Sequence, residues 1–155
     1  MHTKNNRGFT LIELIVTLGL VGIIISIIMS FLMVNLKSYE TISIQSELQY
    51  QSQYMINFMT NKILEAEKYE GTTDNIITFK HDGDKKFSFE VNESSELIFK
   101  DVDGEEITLG GNVTELIIKT SSGGSSGVEI TLTLIDGKSK PCIAKQSVYM
   151  RNYKK

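Results

Sequence analysis

Glu13 is the only charged residue in a run of 26 mostly apolar residues that extends from Phe9 to Val34. A carboxylate in hydrocarbon costs roughly 2.5–3.5 kcal/mol near the centre of a bilayer, and less toward its edge. Such a group is tolerable when a positive charge pairs with it and costly when it is single. Glu13 is therefore a candidate for an ionic contact with another molecule. The alternative is that it lies at the membrane edge and reaches water.

Other residues that could support chemistry are sparse. His81 is the only histidine after His2, and Cys142 is the only cysteine, so neither a serine triad nor a zinc site is indicated. Cys142 cannot form an internal disulfide, and we expect it to be a small apolar residue of the core; an intermolecular disulfide is the alternative. We expect no cofactor and no enzymatic activity.

One acidic turn could supply oxygen ligands to a metal ion. Asp101 and Asp103 precede Gly104, and an Asp-x-Asp-Gly sequence offers carboxylates at a sharp turn, as calcium loops do. The remaining ligands of an EF-hand loop are missing at the required spacing. An acidic hairpin turn is the simpler interpretation, so Asp101 and Asp103 are noted as metal candidates while no metal is expected.

The apolar run is long enough to be a membrane helix. At about 1.5 Å per residue it spans roughly 39 Å, more than a hydrocarbon core of about 30 Å. A secretory signal has a shorter apolar centre and a small-residue cleavage site, and no alanine occurs before Ala66. Lys4 and Arg7 precede the run, which predicts a cytoplasmic N-terminus and an exported C-terminal domain.

The residues Gly8-Phe9-Thr10-Leu11-Ile12-Glu13 follow a short basic leader and open the apolar run. They resemble the processing signal of type IV pilins and pseudopilins. The resemblance implies that a prepilin peptidase cuts between Gly8 and Phe9, and that the same enzyme N-methylates Phe9. It also implies that Glu13, four residues after the new terminus, is the acidic residue used in assembly.

Helix geometry agrees with that role for Glu13. Residues i and i+4 share a helix face, so the Phe9 ammonium and the Glu13 carboxylate project from the same side. In a filament, Glu13 can therefore meet the Phe9 ammonium of a neighbouring subunit.

The chain divides by pattern into a leader (1–8), a transmembrane and filament-core helix (9–34), an amphipathic continuation of that helix (35–70) and an antiparallel β-rich domain (71–155). Gly71 is expected to cap the helix at its C-terminal end. Apolar residues in the continuation recur every four or seven positions, which predicts one packed face: Ile44, Leu48, Met55, Met59 and Ile63. An aromatic ridge is also expected to pack: Tyr39, Tyr50, Tyr54, Phe58 and Tyr69.

After Asn75 the apolar period changes to two, and turn residues separate the apolar segments. The predicted strands are 77–79, 87–91, 97–99, 107–109, 113–118, 128–134 and 147–150. A long N-terminal helix laid on an antiparallel sheet is an α+β, pilin-like fold.

Two features favour a minor subunit. Major pilins usually carry a proline near the middle of the first helix, whereas this chain has no proline before Pro141. The late strand that ends in Arg151-Asn152 resembles that of the J-type minor pseudopilins and the PilW-like minor pilins.

We therefore predict a membrane-anchored minor pilin-like subunit that is processed and then assembled into a pilus or short pseudopilus. The resemblance implies a prepilin peptidase, other pilin subunits, an inner-membrane platform protein and an assembly ATPase as partners. Adhesion or motility, type II secretion and DNA uptake are all open, and the net charge of −3 gives no sign of direct nucleic-acid binding. The alternatives are a membrane-anchored adhesin that never polymerises and an anchored extracellular enzyme.

Overall fold

The computed structural model describes residues 10–73, 75–120, 126–137 and 139–153. The chain divides into two compact units, Met1–Ile42 and Ser43–Lys155, and a single long helix contributes to both. The elements in chain order are α1 (Leu11–Glu65), β1 (Lys68–Thr73), β2 (Ile76–Lys80), β3 (Lys86–Val91), β4 (Leu97–Lys100), β5 (Glu106–Gly110), β6 (Val113–Thr120), β7 (Gly127–Leu134) and β8 (Cys142–Tyr149).

Helix α1 starts at a side-chain cap. The Leu14 backbone N–H donates to the Thr10 carbonyl oxygen at 3.2 Å, and the Glu13 backbone N–H faces Thr10 Oγ1 at 3.4 Å. A threonine at this position satisfies donors that the first turn leaves without a helical partner. No proline interrupts the following 55 residues of helix.

In the second unit, α1 packs one stripe of its surface against the sheets. The buried members of that stripe are spaced by three or four residues with one adjacent pair: Leu48, Ser52, Met55, Ile56, Met59 and Ile63. The predicted packing face is confirmed at four positions, while Ile44 is partly buried at its edge.

The predicted end of the helix near residue 70 is wrong. Helix α1 ends at Glu65, where the Ala66 N–H turns back to the Ile63 carbonyl at 3.1 Å. Residues 68–73 pair with β2 as strand β1, so Gly71 lies in a strand, with φ 134° at an irregularity in the register, and caps nothing. Sheet hydrogen bonds with β2 therefore replace the last predicted turn of helix.

The aromatic ridge was predicted to pack, and this holds for only two of its members. Phe58 meets Phe99 edge-on at 5.2 Å between ring centroids, and Tyr69 lies 5.3 Å from Phe79. The other three side chains are exposed, at 75% for Tyr39, 72% for Tyr50 and 49% for Tyr54. At about 100° per residue, positions 50 and 54 lie on the far side of α1 from the buried stripe.

The strands form two antiparallel sheets rather than the one that was predicted. Strands β1 to β5 form a five-stranded meander, and β6, β7 and β8 form a three-stranded sheet. The chain changes sheet at Asn112, which has φ 61°. There the Val113 N–H donates to the Ser95 carbonyl, and the Asn112 carbonyl accepts from Ile135, so β6 pairs with β7 instead of β5.

The core lies between α1 and the inward faces of both sheets. Phe79, Phe89 and Phe99 are fully buried, and their rings contact one another across β2, β3 and β4. In the other sheet Val128, Ile130, Leu132 and Leu134 alternate inward along β7. Strand β1 was not predicted, and β8 begins five residues before the predicted segment, at Cys142.

Candidate processing and assembly site

The residues predicted to be processed fall at the edge of what the structure covers. Lys4, Arg7, Gly8 and Phe9 lie outside the described residues. Glu13, the predicted assembly residue, lies in the first turn of α1 and is exposed. The geometry of the site is therefore that of Glu13 and the helix surface that follows it.

Glu13 and Thr10 form the pattern of a helix capping box, Thr-x-x-Glu. Thr10 occupies the cap position, and the Glu13 N–H contacts Thr10 Oγ1 at 3.4 Å, a long hydrogen bond. A carboxylate in the first turn also interacts favourably with the positive end of the helix dipole. Thr10 was not predicted to be a cap, although the Thr-x-x-Glu spacing before an apolar run indicates one.

The Glu13 carboxylate forms no ion pair with any residue in the part of the chain that the structure describes. Its nearest charged neighbour on α1 is Lys37, nearly seven turns further along the helix. No described residue therefore neutralises this carboxylate.

The surface of α1 beyond Glu13 is apolar on every side. Each large apolar side chain from Leu11 to Leu36 is between 47% and 78% exposed in the isolated chain. Judged by length and composition, α1 is long and apolar enough to cross a membrane. An apolar surface that surrounds a helix completely is typical of a helix that lies in lipid or among other helices.

The hydroxyl groups in this segment are bonded within the helix. Thr17 Oγ1 donates to the Leu14 carbonyl at 2.8 Å, Ser26 Oγ to the Gly22 carbonyl at 2.9 Å, and Ser30 Oγ to the Ser26 carbonyl at 3.0 Å. Because each donor is satisfied locally, these side chains add little cost to burial in an apolar environment. Glu13 is left as the one side chain of the segment with a large cost of burial.

Helix geometry separates two faces of the segment. Glu13 and Thr17 are four residues apart and share one face. Gly19, Gly22 and Ser26 lie on the opposite face, since Ser26 is about 180° around the helix from Thr17. Small residues allow a second helix to approach closely in a membrane.

Arg151 and Asn152, which follow strand β8, contact the C-terminal end of α1. The Arg151 N–H donates to the Leu64 carbonyl at 3.0 Å, and Asn152 Nδ2 donates to the Glu65 carbonyl at 3.2 Å. The last carbonyls of a helix have no helical partner, so the pair caps α1. Sequence reasoning noted these residues but not this contact, which joins positions 87 apart in the chain.

Asp101 and Asp103, the weak metal candidates, lie in the turn between β4 and β5. Asp101 Oδ1 accepts from the Val102 N–H at 2.8 Å, and the Asp101 carbonyl accepts from Gly104 at 3.0 Å. No group of three or more metal-ligating side chains occurs among the described residues. The Asp101 carboxylate instead holds the tight turn between β4 and β5.

Cys142 is partly buried at the start of β8 and borders the core rather than lying inside it. Its Sγ is 3.6 Å from Ser52 Oγ on the buried stripe of α1. The contact fills the space between helix and sheet, as expected of a small packing residue.

A long apolar N-terminal helix packed on antiparallel sheets is an α+β, pilin-like architecture. Residues 3–29 match the family model described as the prokaryotic N-terminal methylation motif. The match is confined to the N-terminal segment, and it supports a likeness of that segment to type IV pilins and pseudopilins. No curated protein and no solved structure matches the chain.

Proposed function

We propose that the protein is a minor type IV pilin-like subunit that is cut between Gly8 and Phe9, N-methylated at Phe9 and assembled into a pilus or short pseudopilus. The observation that carries the proposal is the methylation motif over residues 3–29, which includes the Gly8-Phe9 bond four residues before Glu13. Proteins with this motif are typically structural subunits rather than enzymes.

Before assembly, the apolar segment would hold the subunit in the membrane. Lys4 and Arg7 keep the N-terminus on the cytoplasmic side, where the peptidase acts, and residues 43–155 are exported. Leu11 to Leu36 then contact lipid over their whole exposed surface.

On assembly, neighbouring helices would replace the lipid around this segment. The Glu13 carboxylate would pair with the Phe9 ammonium of an adjacent subunit, which fixes the axial position of one helix against the next. Both charges are costly singly in an apolar filament core and tolerable together, so the pair selects one register.

A role as a minor subunit rests on the absence of proline before Pro141 and on the Arg151-Asn152 ending. Such a subunit would initiate, cap or tune a filament in a machine with a platform protein and an ATPase. The machine could serve adhesion or motility, secretion or DNA uptake, at the cell surface or within the envelope.

The proposal is tested by the mass of the membrane-bound protein. In cells with an active prepilin peptidase, the intact mass should correspond to a chain that starts at methylated Phe9. A Gly8→Leu variant should keep its leader, because the large side chain replaces the glycine at the cleavage site. Gly19→Ala is the matched control, since open space surrounds Gly19, and it should be processed normally. A wild-type protein that keeps Met1–Gly8 would instead favour the non-polymerising adhesin.

A further inference from the structure

We infer that Thr17 is a second acceptor for the amino terminus of the neighbouring subunit, and that it positions that terminus against Glu13. The inference rests on the proposed function, because it concerns the contact through which subunits would assemble. It identifies a residue outside the Gly8-Phe9-Glu13 signal that sets the geometry of that contact.

The first step concerns the hydrogen-bonding capacity of Thr17. Its Oγ1 donates its only hydrogen to the Leu14 carbonyl at 2.8 Å. A hydroxyl also carries acceptor lone pairs, and here these are not used by the bond to Leu14. The side chain is exposed on the helix surface, so Oγ1 can accept from a donor on another molecule.

The second step concerns location. Residues at i and i+4 have Cβ atoms about 5–6 Å apart on one helix face, which places Thr17 beside Glu13. N–H···O distances are about 2.9 Å and the two N–H bonds of an ammonium diverge by about 109°, so one nitrogen can bridge two oxygens roughly 4.7 Å apart. The other hydroxyls are less suitable, since Thr10 Oγ1 faces the Glu13 N–H and Ser26 lies on the opposite face.

The third step concerns the number of hydrogen-bond donors on the amino terminus of the neighbouring subunit. An N-methylated terminus is a secondary ammonium with two N–H groups. Glu13 can accept one of them directly, and a second N–H buried in an apolar core without an acceptor is costly. Thr17 Oγ1 supplies that acceptor, so both donors are satisfied by one face of one neighbouring helix.

The test is a competition in which tagged wild-type and variant subunits are co-expressed and their ratio is measured in sheared filaments and in membranes. Thr17→Val keeps the shape of the side chain but removes the acceptor, and we expect about a threefold to tenfold drop in its filament-to-membrane ratio. Thr17→Ser restores the acceptor and should remain near the wild-type ratio.

Ser26→Ala is the matched control, because it removes a hydroxyl that is also bonded within the helix but lies on the opposite face. Its ratio should be unchanged. The inference is overturned if Thr17→Val incorporates like wild type, if Thr17→Ser is reduced as much as Thr17→Val, or if Ser26→Ala is reduced equally. Failure of wild-type protein to enter filaments would instead contradict the proposed function.

Discussion

At the scale of single residues, the largest free-energy cost of placing the apolar segment of α1 in an apolar environment is that of the Glu13 carboxylate. Glu13 is exposed in the first turn of α1, has no ion-pair partner among the described residues, and is followed by a helix surface that is apolar on all sides. The hydroxyls of Thr17, Ser26 and Ser30 are already satisfied within the helix. The account therefore assigns the ionic contact between subunits to Glu13.

Replacing Glu13 by alanine should impair incorporation of the subunit into filaments but not its insertion into the membrane. Insertion should be unchanged or slightly improved, since a costly charge is removed from the apolar run. Incorporation into filaments should fall at least tenfold, because the neighbouring ammonium would be buried without its partner. Ser30→Ala is a control in the same helix. Normal incorporation of Glu13→Ala, measured in sheared filaments, would contradict the role assigned to the carboxylate.

Asn152 should matter for stability rather than for processing. Asn152→Ala removes the donor to the Glu65 carbonyl and should lower the free energy of unfolding of residues 43–155 by about 1 kcal/mol. Denaturant unfolding of the full chain in detergent micelles would measure this. Asn61→Ala, at an exposed helix position, is the control and should have no destabilising effect. Equal stability of Asn152→Ala and wild type would argue against the cap.

At the scale of elements, local patterns were read correctly where burial is periodic. The stripe through Leu48, Met55, Met59 and Ile63 repeats at helical spacing, and most strands alternate. Strand β1 was missed because Lys68–Thr73 has no alternating apolar residues and is held by pairing with β2.

Contacts between distant parts of the chain could not be predicted in the same way. The division into two sheets depends on the Val113–Ser95 hydrogen bond, and the cap on α1 depends on residues near the C-terminus. At the site, Glu13 could be identified from the sequence as the single charged residue of the apolar run. The acceptor role inferred for Thr17 depends on its hydrogen bond to the Leu14 carbonyl, which no sequence pattern indicates.

Two adjacent glycines at the end of β5 offer a sharp test of helix–sheet packing. A Cβ added at Gly110 would collide with the terminal methyl of Met55, which is fully buried, whereas open space surrounds Gly111. That methyl is the end of a flexible side chain but has no open space to move into, so Gly110→Ala should destabilise the fold by about 1 kcal/mol, the lower end of the usual cost of overpacking. Gly111→Ala should change stability by less than about 0.5 kcal/mol. Denaturant midpoints compare the two, and similar values would contradict the packing of Met55.

At the scale of the whole molecule, the two units, Met1–Ile42 and Ser43–Lys155, require different surroundings. The large apolar side chains of α1 from Leu11 to Leu36 are exposed among the residues that the structure describes, whereas residues 43–155 bury a core of their own. The first unit therefore depends on lipid or on other helices, and the second does not. Such a chain can be held in a membrane or in a filament while the same folded domain is displayed.

A charge placed in each unit should reveal this difference. Ile25 is 50% exposed in the apolar segment, and Ile143 is 57% exposed on β8. Ile25→Asp should lower the membrane-inserted fraction after carbonate washing, because a charge near the helix centre costs roughly 2.5–3.5 kcal/mol. Ile143→Asp should insert like wild type. If both variants inserted equally well, the segment would not be the membrane anchor.

The most direct measurement is the identity of the N-terminal peptide of this protein in filaments sheared from cells. The account predicts a peptide that begins at N-methylated Phe9 and contains Glu13. Filaments that lack the protein, or that carry it with residues 1–8 still attached, would contradict the account.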